Sequence, residues 1–220
     1  MQLFQKRILD KLDPKDALPG RTDRRMQVAD KHLVLGTPML GPWPEGYETA
    51  IVAMGCFWGA EKFLWKIPGV YTTFVGYTGG YTPNPTYEEV CTQRTGHAEA
   101  AAVVFDPAKV SYDEILKVFW ENHDPTTPNR QGGDIGTQYR SALFVASEKQ
   151  RAEAEASLAR YQAELDKGGF GKISTEVVEA GPFYYAEPYH QQYLHSNPYG
   201  YCNHGFCQVG YPGVEKEPRA

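Results

Sequence analysis

Residues 97–105, His-Ala-Glu-Ala-Ala-Ala-Val-Val-Phe, are apolar on both sides of a two-residue repeat. Ala98, Ala100, Ala102 and Val104 alternate with Glu99, Ala101, Val103 and Phe105. Such a strand has to lie inside a sheet and be covered on both faces. Asp106-Pro107 stops it, and Ser111-Tyr112-Asp113-Glu114 is a capping box that opens a helix to about Glu121, with Ile115, Leu116, Val118 and Phe119 available for burial. Further strands are expected over 49–54, 138–146 and 173–179. A second capping box, Ser147 to Gln150, opens a long helix to about Lys167 that Gly168 and Gly169 end. Strands alternating with helices predict an α/β domain. The expected organisation is an N-terminal arm (1–46), a catalytic domain (47–200) and a flexible tail (201–220).

The chain has 220 residues, and its 22 Lys plus Arg against 27 Asp plus Glu give a net charge of -5 without a basic cluster. A nucleic acid is therefore not an expected partner. The first twenty residues mix both signs of charge, and no run approaches ~20 apolar residues, so neither a secretory signal nor a membrane span is expected and the default location is the cytoplasm. Four cysteines in a chain of this size do not make a disulfide scaffold; they point to catalysis, metal binding or inert thiols.

Gly55-Cys56-Phe57-Trp58-Gly59 puts one of these cysteines between glycines, before two large aromatics. The strand over 49–54 precedes it, and Phe57, Ala60, Leu64 and Ile67 follow at helical spacing, so Cys56 sits at a helix N-terminus. Unpaired N–H groups and the positive end of the helix dipole there are expected to lower its pKa from ~8.5 toward neutrality. Glu99, on a strand apolar on both faces, is expected to hold its proton near neutral pH and act as a general acid. The alternative places it at the exposed strand start, paired with Arg94 or His97. Residues 76–86 read as a turn-rich loop that carries Tyr77 and Tyr81, with Tyr87 just beyond. Cys91, beside Val90, reads as structural.

The tail admits two sharp readings. Cys202, His204 and Cys207, with His190 or His195, supply thiolate and imidazole ligands for zinc, although no second pair has the usual finger spacing. Alternatively Cys202 and Cys207 condense with an oxidised Cys56 and pass the disulfide on. Two surface thiols without a role are the plain alternative. A cysteine-dependent hydrolase, with Cys56 activated by His190 or His97, is a competing enzyme reading that has no use for the tail cysteines.

The chain resembles the A-type peptide methionine sulfoxide reductases, from about Glu48 to Cys202. The resemblance rests on Gly55 to Gly59, Gly76-Tyr77-Thr78-Gly79-Gly80, Pro85-Thr86-Tyr87-Glu88-Glu89-Val90-Cys91, Gly96-His97-Ala98-Glu99, Asp134-Ile135-Gly136-Thr137-Gln138-Tyr139-Arg140-Ser141 and Tyr189-His190-Gln191-Gln192-Tyr193-Leu194. It implies an α/β (α+β) single domain with a split β-α-β, ferredoxin-like mixed-sheet core and long coiled ends. It implies reduction of the S epimer of methionine sulfoxide, with Cys56 as nucleophile, Phe57 and Trp58 holding the substrate methyl group, and Glu99, Tyr87 and Tyr139 around the sulfoxide oxygen. Asp134 is implied as a polar residue of the substrate site, and His190 and Tyr193 line it. Cys202 and Cys207 are implied as successive resolving cysteines, thioredoxin as the reductant, no metal or organic cofactor, and a monomer. Gln93 stands where the family commonly has glycine and Tyr199 where it has Asp or Asn. The first ~45 residues lie outside the minimal pattern.

Overall fold

A computed structural model describes residues 12–23, 27–204 and 208–213. Along the chain run β1 (Glu48–Met54), α1 (Phe57–Leu64), β2 (Val70–Thr78), α2 (Tyr87–Cys91), β3 (Ala98–Phe105) and α3 (Tyr112–Glu121). The short strands β4 (Arg130–Gln131) and β5 (Asp134–Ile135) follow, then β6 (Ser141–Val145), α4 (Glu148–Lys167), β7 (Glu176–Glu179), β8 (Tyr184–Tyr185) and α5 (Tyr193–Ser196). Six strands form one sheet in the order β7-β6-β1-β3-β2-β8, while β4 and β5 pair separately.

All eight residues of β3 are buried, and β3 runs antiparallel to β1 on one side and β2 on the other. The unit β1-α1-β2 is thus split by β3, and β6 pairs antiparallel with the far side of β1, which is the ferredoxin-like arrangement. The parallel pairing of β6 with β7, across the crossover helix α4, makes the sheet mixed. One face of the sheet, with Val52, Ala101, Val103 and Phe105, packs on Phe57 and Leu64 of α1 and on Leu116, Phe119 and Trp120 of α3. Each buried Val, Leu or Phe among them contributes roughly 1.5–3 kcal/mol. The other face, with Ile51, Ala100, Ala102 and Phe144, is covered by Val28, Met39 and Trp43 of the N-terminal region and by Phe183 and Tyr185.

Several local expectations are corrected. The segment taken as a loop from Gly76 begins inside β2, which the polar-looking run Val-Tyr-Thr-Thr-Phe-Val-Gly-Tyr-Thr conceals. Its register against β3, Tyr77 opposite Glu99, supplies the order that its own composition does not. The strand expected from Gln138 starts at Ser141, because Thr137–Tyr139 form a 3-10 turn, and the one expected from Ile173 starts at Glu176. Ser147 caps α4 by accepting from Gln150 N, but the Gln150 side chain does not close the box. It accepts from Ala146 N at 3.0 Å and donates to Thr49 O at 3.0 Å, tying α4 to β1. The chain after Gly181, expected to be irregular, contains β8, a 3-10 turn at Pro188–His190 and α5.

Candidate active site

Cys56 occupies the N-cap of α1, directly after β1, where Gly55 at φ +92° turns the chain. It is 6% exposed. The expectation of a lowered thiol pKa does not hold for the free protein. Burial pushes the Cys56 thiol up, the nearby Glu99 and Asp134 carboxylates add to this, and the N–H groups of Trp58 and Gly59 pull the other way without prevailing. The helix-start donors exist, but desolvation outweighs them.

Glu99, the second residue of β3, shares a face with Ala101, Val103 and Phe105 and therefore points at α1. It is 1% exposed, and its Oε2 accepts from Phe57 N at 3.1 Å, so the acid is tied to the residue next to Cys56. Burial pushes its pKa up to about 8, against the pull of the Phe57 N–H. The exposed alternative fails. His97 is turned away, with Nε2 at 2.7 Å from Thr82 O and Nδ1 accepting from Gly80 N at 3.0 Å, and Arg94 donates weakly to Asp16 O.

Tyr87 is the first residue of α2, whose start is fixed by a complete capping box between Thr86 and Glu89; Tyr139 ends the 3-10 turn before β6. Burial and then the Glu99 charge push both phenols up, so each stays a hydrogen-bond donor. Beside them Trp58 stacks on Tyr193 at 3.8 Å between centroids and 17° between planes, and its Nε1 donates to His190 Nδ1 at 3.0 Å. The His190 ring also lies 5.0 Å from that of Phe57 and 4.6 Å from that of Tyr87. Burial holds His190 down at about 4, so it is neutral and accepts from Trp58.

The tail closes the other side. Asp134 accepts from Tyr201 Oη at 3.0 Å and from Asn203 Nδ2 at 3.0 Å, while His204 Nε2 donates to Met54 O at 2.7 Å, two residues before Cys56. A Cβ at Gly59 would lie 2.2 Å from His204 Nδ1, so the second glycine of the cysteine motif makes room for the tail. Cys202 sits exposed between these anchors with a free thiol; Cys207 lies outside the described residues. Among the described residues no three His, Cys, Asp or Glu side chains gather as metal ligands would, and no helix is long and apolar enough to cross a membrane.

The pattern of the family described as Peptide methionine sulfoxide reductase matches residues 48–211. The chain belongs to this family. It is an oxidoreductase that acts on methionine sulfoxide. It is 60% identical over 203 residues to "Peptide methionine sulfoxide reductase MsrA 1" of Caulobacter vibrioides, covering 90% of this chain and 93% of the relative. Against "Peptide methionine sulfoxide reductase MsrA" of Salinispora arenicola it is 55% identical over 215 residues, covering 94% and 97%. Methionine sulfoxide reductase A of Corynebacterium diphtheriae has a similar structure, with a TM-score of 0.79, 43% identity, and 93% of this chain and 99% of that one covered. Yeast Mxr1 in its reduced form follows at a TM-score of 0.67, 35% identity, and coverage of 77% and 96%; other structures of Mxr1 show an unusual oxidized form and a complex with Trx2.

The fold of this reductase brings Cys56, Phe57, Trp58, Tyr87, Glu99, Asp134, Tyr139, His190 and Tyr193 around one helix start. Three participants were not foreseen. Glu187 accepts from Tyr77 Oη at 2.7 Å and Tyr87 N at 2.8 Å, fixing the phenol-bearing turn. Cys91, read as structural, lies beside the phenols and is among the lesser causes that raise both Tyr87 and Tyr139, after burial and Glu99. Its position four residues after Tyr87, one helical turn on, is the signal that marks it. His204, offered by the sequence only as a zinc ligand, instead packs on Met54 and Gly59, partners that are reached only through the fold.

Proposed function

We propose that this reductase acts on the S epimer of methionine sulfoxide, free or in proteins, with Cys56 as nucleophile and Glu99 as acid. The observation that carries the reading is the buried Glu99 carboxyl, hydrogen-bonded to the N–H next to Cys56 and flanked by the Tyr87 and Tyr139 phenols. The substrate methyl group rests on Phe57 and Trp58, backed by His190 and Tyr193, and the sulfoxide oxygen faces Glu99 and the phenols. A sulfoxide sulfur is a poor electrophile until its oxygen accepts a proton or strong hydrogen bonds. With Glu99 protonated, its repulsion of a thiolate at Cys56 disappears, which leaves the Trp58 and Gly59 N–H groups working against burial and Asp134 alone.

Attack by sulfur on sulfur, with proton delivery to the oxygen, transfers the oxygen: thiol plus sulfoxide gives Cys56 sulfenic acid plus thioether. The Cys202 thiol then displaces water from the sulfenic acid to form a Cys56–Cys202 disulfide, Cys207 attacks Cys202, and a thioredoxin dithiol reduces the Cys202–Cys207 pair. The complex of Mxr1 with Trx2 supports thioredoxin as the reductant, and a reducing cytoplasm suits such a relay. Asp134, holding Tyr201 and Asn203, positions the segment around Cys202.

The test is reduction of separated S and R epimers of a methionine sulfoxide peptide with dithiothreitol, wild type against Cys56→Ser. Turnover of S alone, abolished in the variant, is expected. No turnover of either epimer by the wild type would overturn the reading. In the Cys202→Ser, Cys207→Ser double variant, thioredoxin-supported turnover is expected to collapse while one equivalent of methionine still forms.

A further inference from the structure

Behind the aromatic wall lies a second buried constellation that the reaction does not use. Glu61 of α1 is one turn beyond Trp58 and fully buried. It accepts from Gln192 N at 2.8 Å, Gln192 Nε2 at 2.7 Å and Thr73 Oγ1 at 3.1 Å. Gln192 is a non-glycine residue at φ +47°, a conformation that costs free energy and persists only where its surroundings hold it. It stands between His190, which takes the Trp58 hydrogen bond, and Tyr193, which stacks on Trp58.

The N-terminal region, outside residues 48–211, supplies much of that hold. Leu33 N donates to Gln192 Oε1 at 3.3 Å, and Gln192 Nε2 contacts Met39 Sδ at 3.7 Å. His32 Nδ1 accepts from Val34 N and Leu35 N at 3.1 and 3.0 Å, which leaves Nε2 as the donor. That Nε2 lies 2.8 Å from Thr73 Oγ1, whose own proton goes to Glu61. A continuous line of hydrogen bonds therefore runs from His32 through Thr73 and Glu61 to Gln192. Thr37 Oγ1 donates to Tyr71 O at 2.7 Å and Tyr185 Oη donates to Met39 O at 3.0 Å, so the loop is itself fastened to β2 and β8.

We propose that the loop over residues 31–39 is a positioning element of the active site. Through His32, Leu33 and Met39 it holds Glu61 and Gln192 in place, and so decides where His190 and Tyr193 grip Trp58. The inference rests on the reading of Trp58 as the methyl-binding wall. A pocket wall set from behind governs fit more than thiol chemistry, so its loss raises KM and blurs the distinction between an S-methyl and an S-ethyl sulfoxide. One added methylene is worth roughly 10- to 200-fold in a well-shaped apolar pocket.

The experiment compares full-length wild type, His32→Ala, His32→Gln and Thr73→Val with S-epimer methionine and ethionine sulfoxides, using dithiothreitol. For His32→Ala and Thr73→Val we expect KM for methionine sulfoxide to rise about tenfold, the order of one intramolecular hydrogen bond, with narrower discrimination against ethionine sulfoxide. Alkylation of substrate-free Cys56, followed by peptide mass spectrometry, is expected to keep its wild-type rate. His32→Gln, whose amide N–H reaches the same hydroxyl, is expected to recover most of the fit. Should His32→Ala not fold, Thr73→Val carries the same expectations. Wild-type KM and discrimination in the folded variants, or an equal loss of kcat/KM on both substrates, overturns the inference. A wild type inactive on both sulfoxides instead overturns the parent reading.

Discussion

Glu99, at the start of α1, and Glu61, one turn along it, are two fully buried carboxyl groups, and they are served very differently. Glu61 receives three hydrogen bonds, and its pKa is pushed up to about 7; Glu99 receives one among the described residues, from Phe57 N, and reaches about 8. Desolvation is the first cause in both, and the donors around Glu61 offset more of it. A satisfied buried acid is framework, whereas one left with spare capacity beside a thiol and two phenols is available to a visiting oxygen.

The comparison can be broken most severely at Glu99. Glu99→Gln keeps an acceptor for Phe57 N but removes the transferable proton, so dithiothreitol-supported turnover is expected to fall roughly 10²- to 10⁴-fold; a fall of less than threefold would remove Glu99 from the chemistry. The stability of that variant sharpens the contrast. In the unfolded chain Glu99 ionises near the ordinary value of 4.5, whereas the folded protein keeps the proton to about 8. The native state thus binds more protons between those values, and its stability falls as pH rises through the window and levels off above it. Glu99→Gln lacks that slope. Urea melts are expected to show the variant gaining on wild type as pH rises from 5 to 8, by on the order of 1 kcal/mol per unit.

Glu61→Gln tests the opposite case. It puts an amide N–H among donors from Gln192 and Thr73, and is expected to cost about 1–3 kcal/mol of stability, measured by the same melts at pH 8. Its Cys56 alkylation rate should stay at the wild-type value, where Glu99→Gln alters it. The smallest effect belongs to the wall the two acids flank: Tyr193→Leu removes a stacked ring from Trp58 and is expected to raise KM severalfold, the scale of about 1 kcal/mol for an aromatic pair.

Much of this site was legible in the chain itself. The two-sided apolar strand offered Glu99 as a core acid and left its exposed start as the alternative, the Gly-Cys-Phe-Trp-Gly run placed Cys56 at a helix start, and Ser111 capped α3 as its capping box requires. Each of these signals is local, carried by neighbours within one turn or one strand. What escaped depended on partners far along the chain. β2 is a strand because β3 lies beside it, Glu187 matters because Tyr77 and Tyr87 converge on it from more than a hundred residues away in the first case, and Gln192 is strained because Glu61 and the 31–39 loop hold it.

The thiol shows the same division most plainly. The amino-acid sequence by itself determined the chemical cast, namely one cysteine at a helix N-terminus, an acid on an apolar strand, tyrosines in turn-rich segments and two thiols in the tail. Only the tertiary structure decided their protonation: the helix start favours a thiolate at Cys56, but enclosure by the sheet, Glu99 and Asp134 holds the proton on. The physical reason is range. A helix dipole and its free N–H groups follow from local order and can be read along the chain, whereas the desolvation that outweighs them is set by everything that packs around the site.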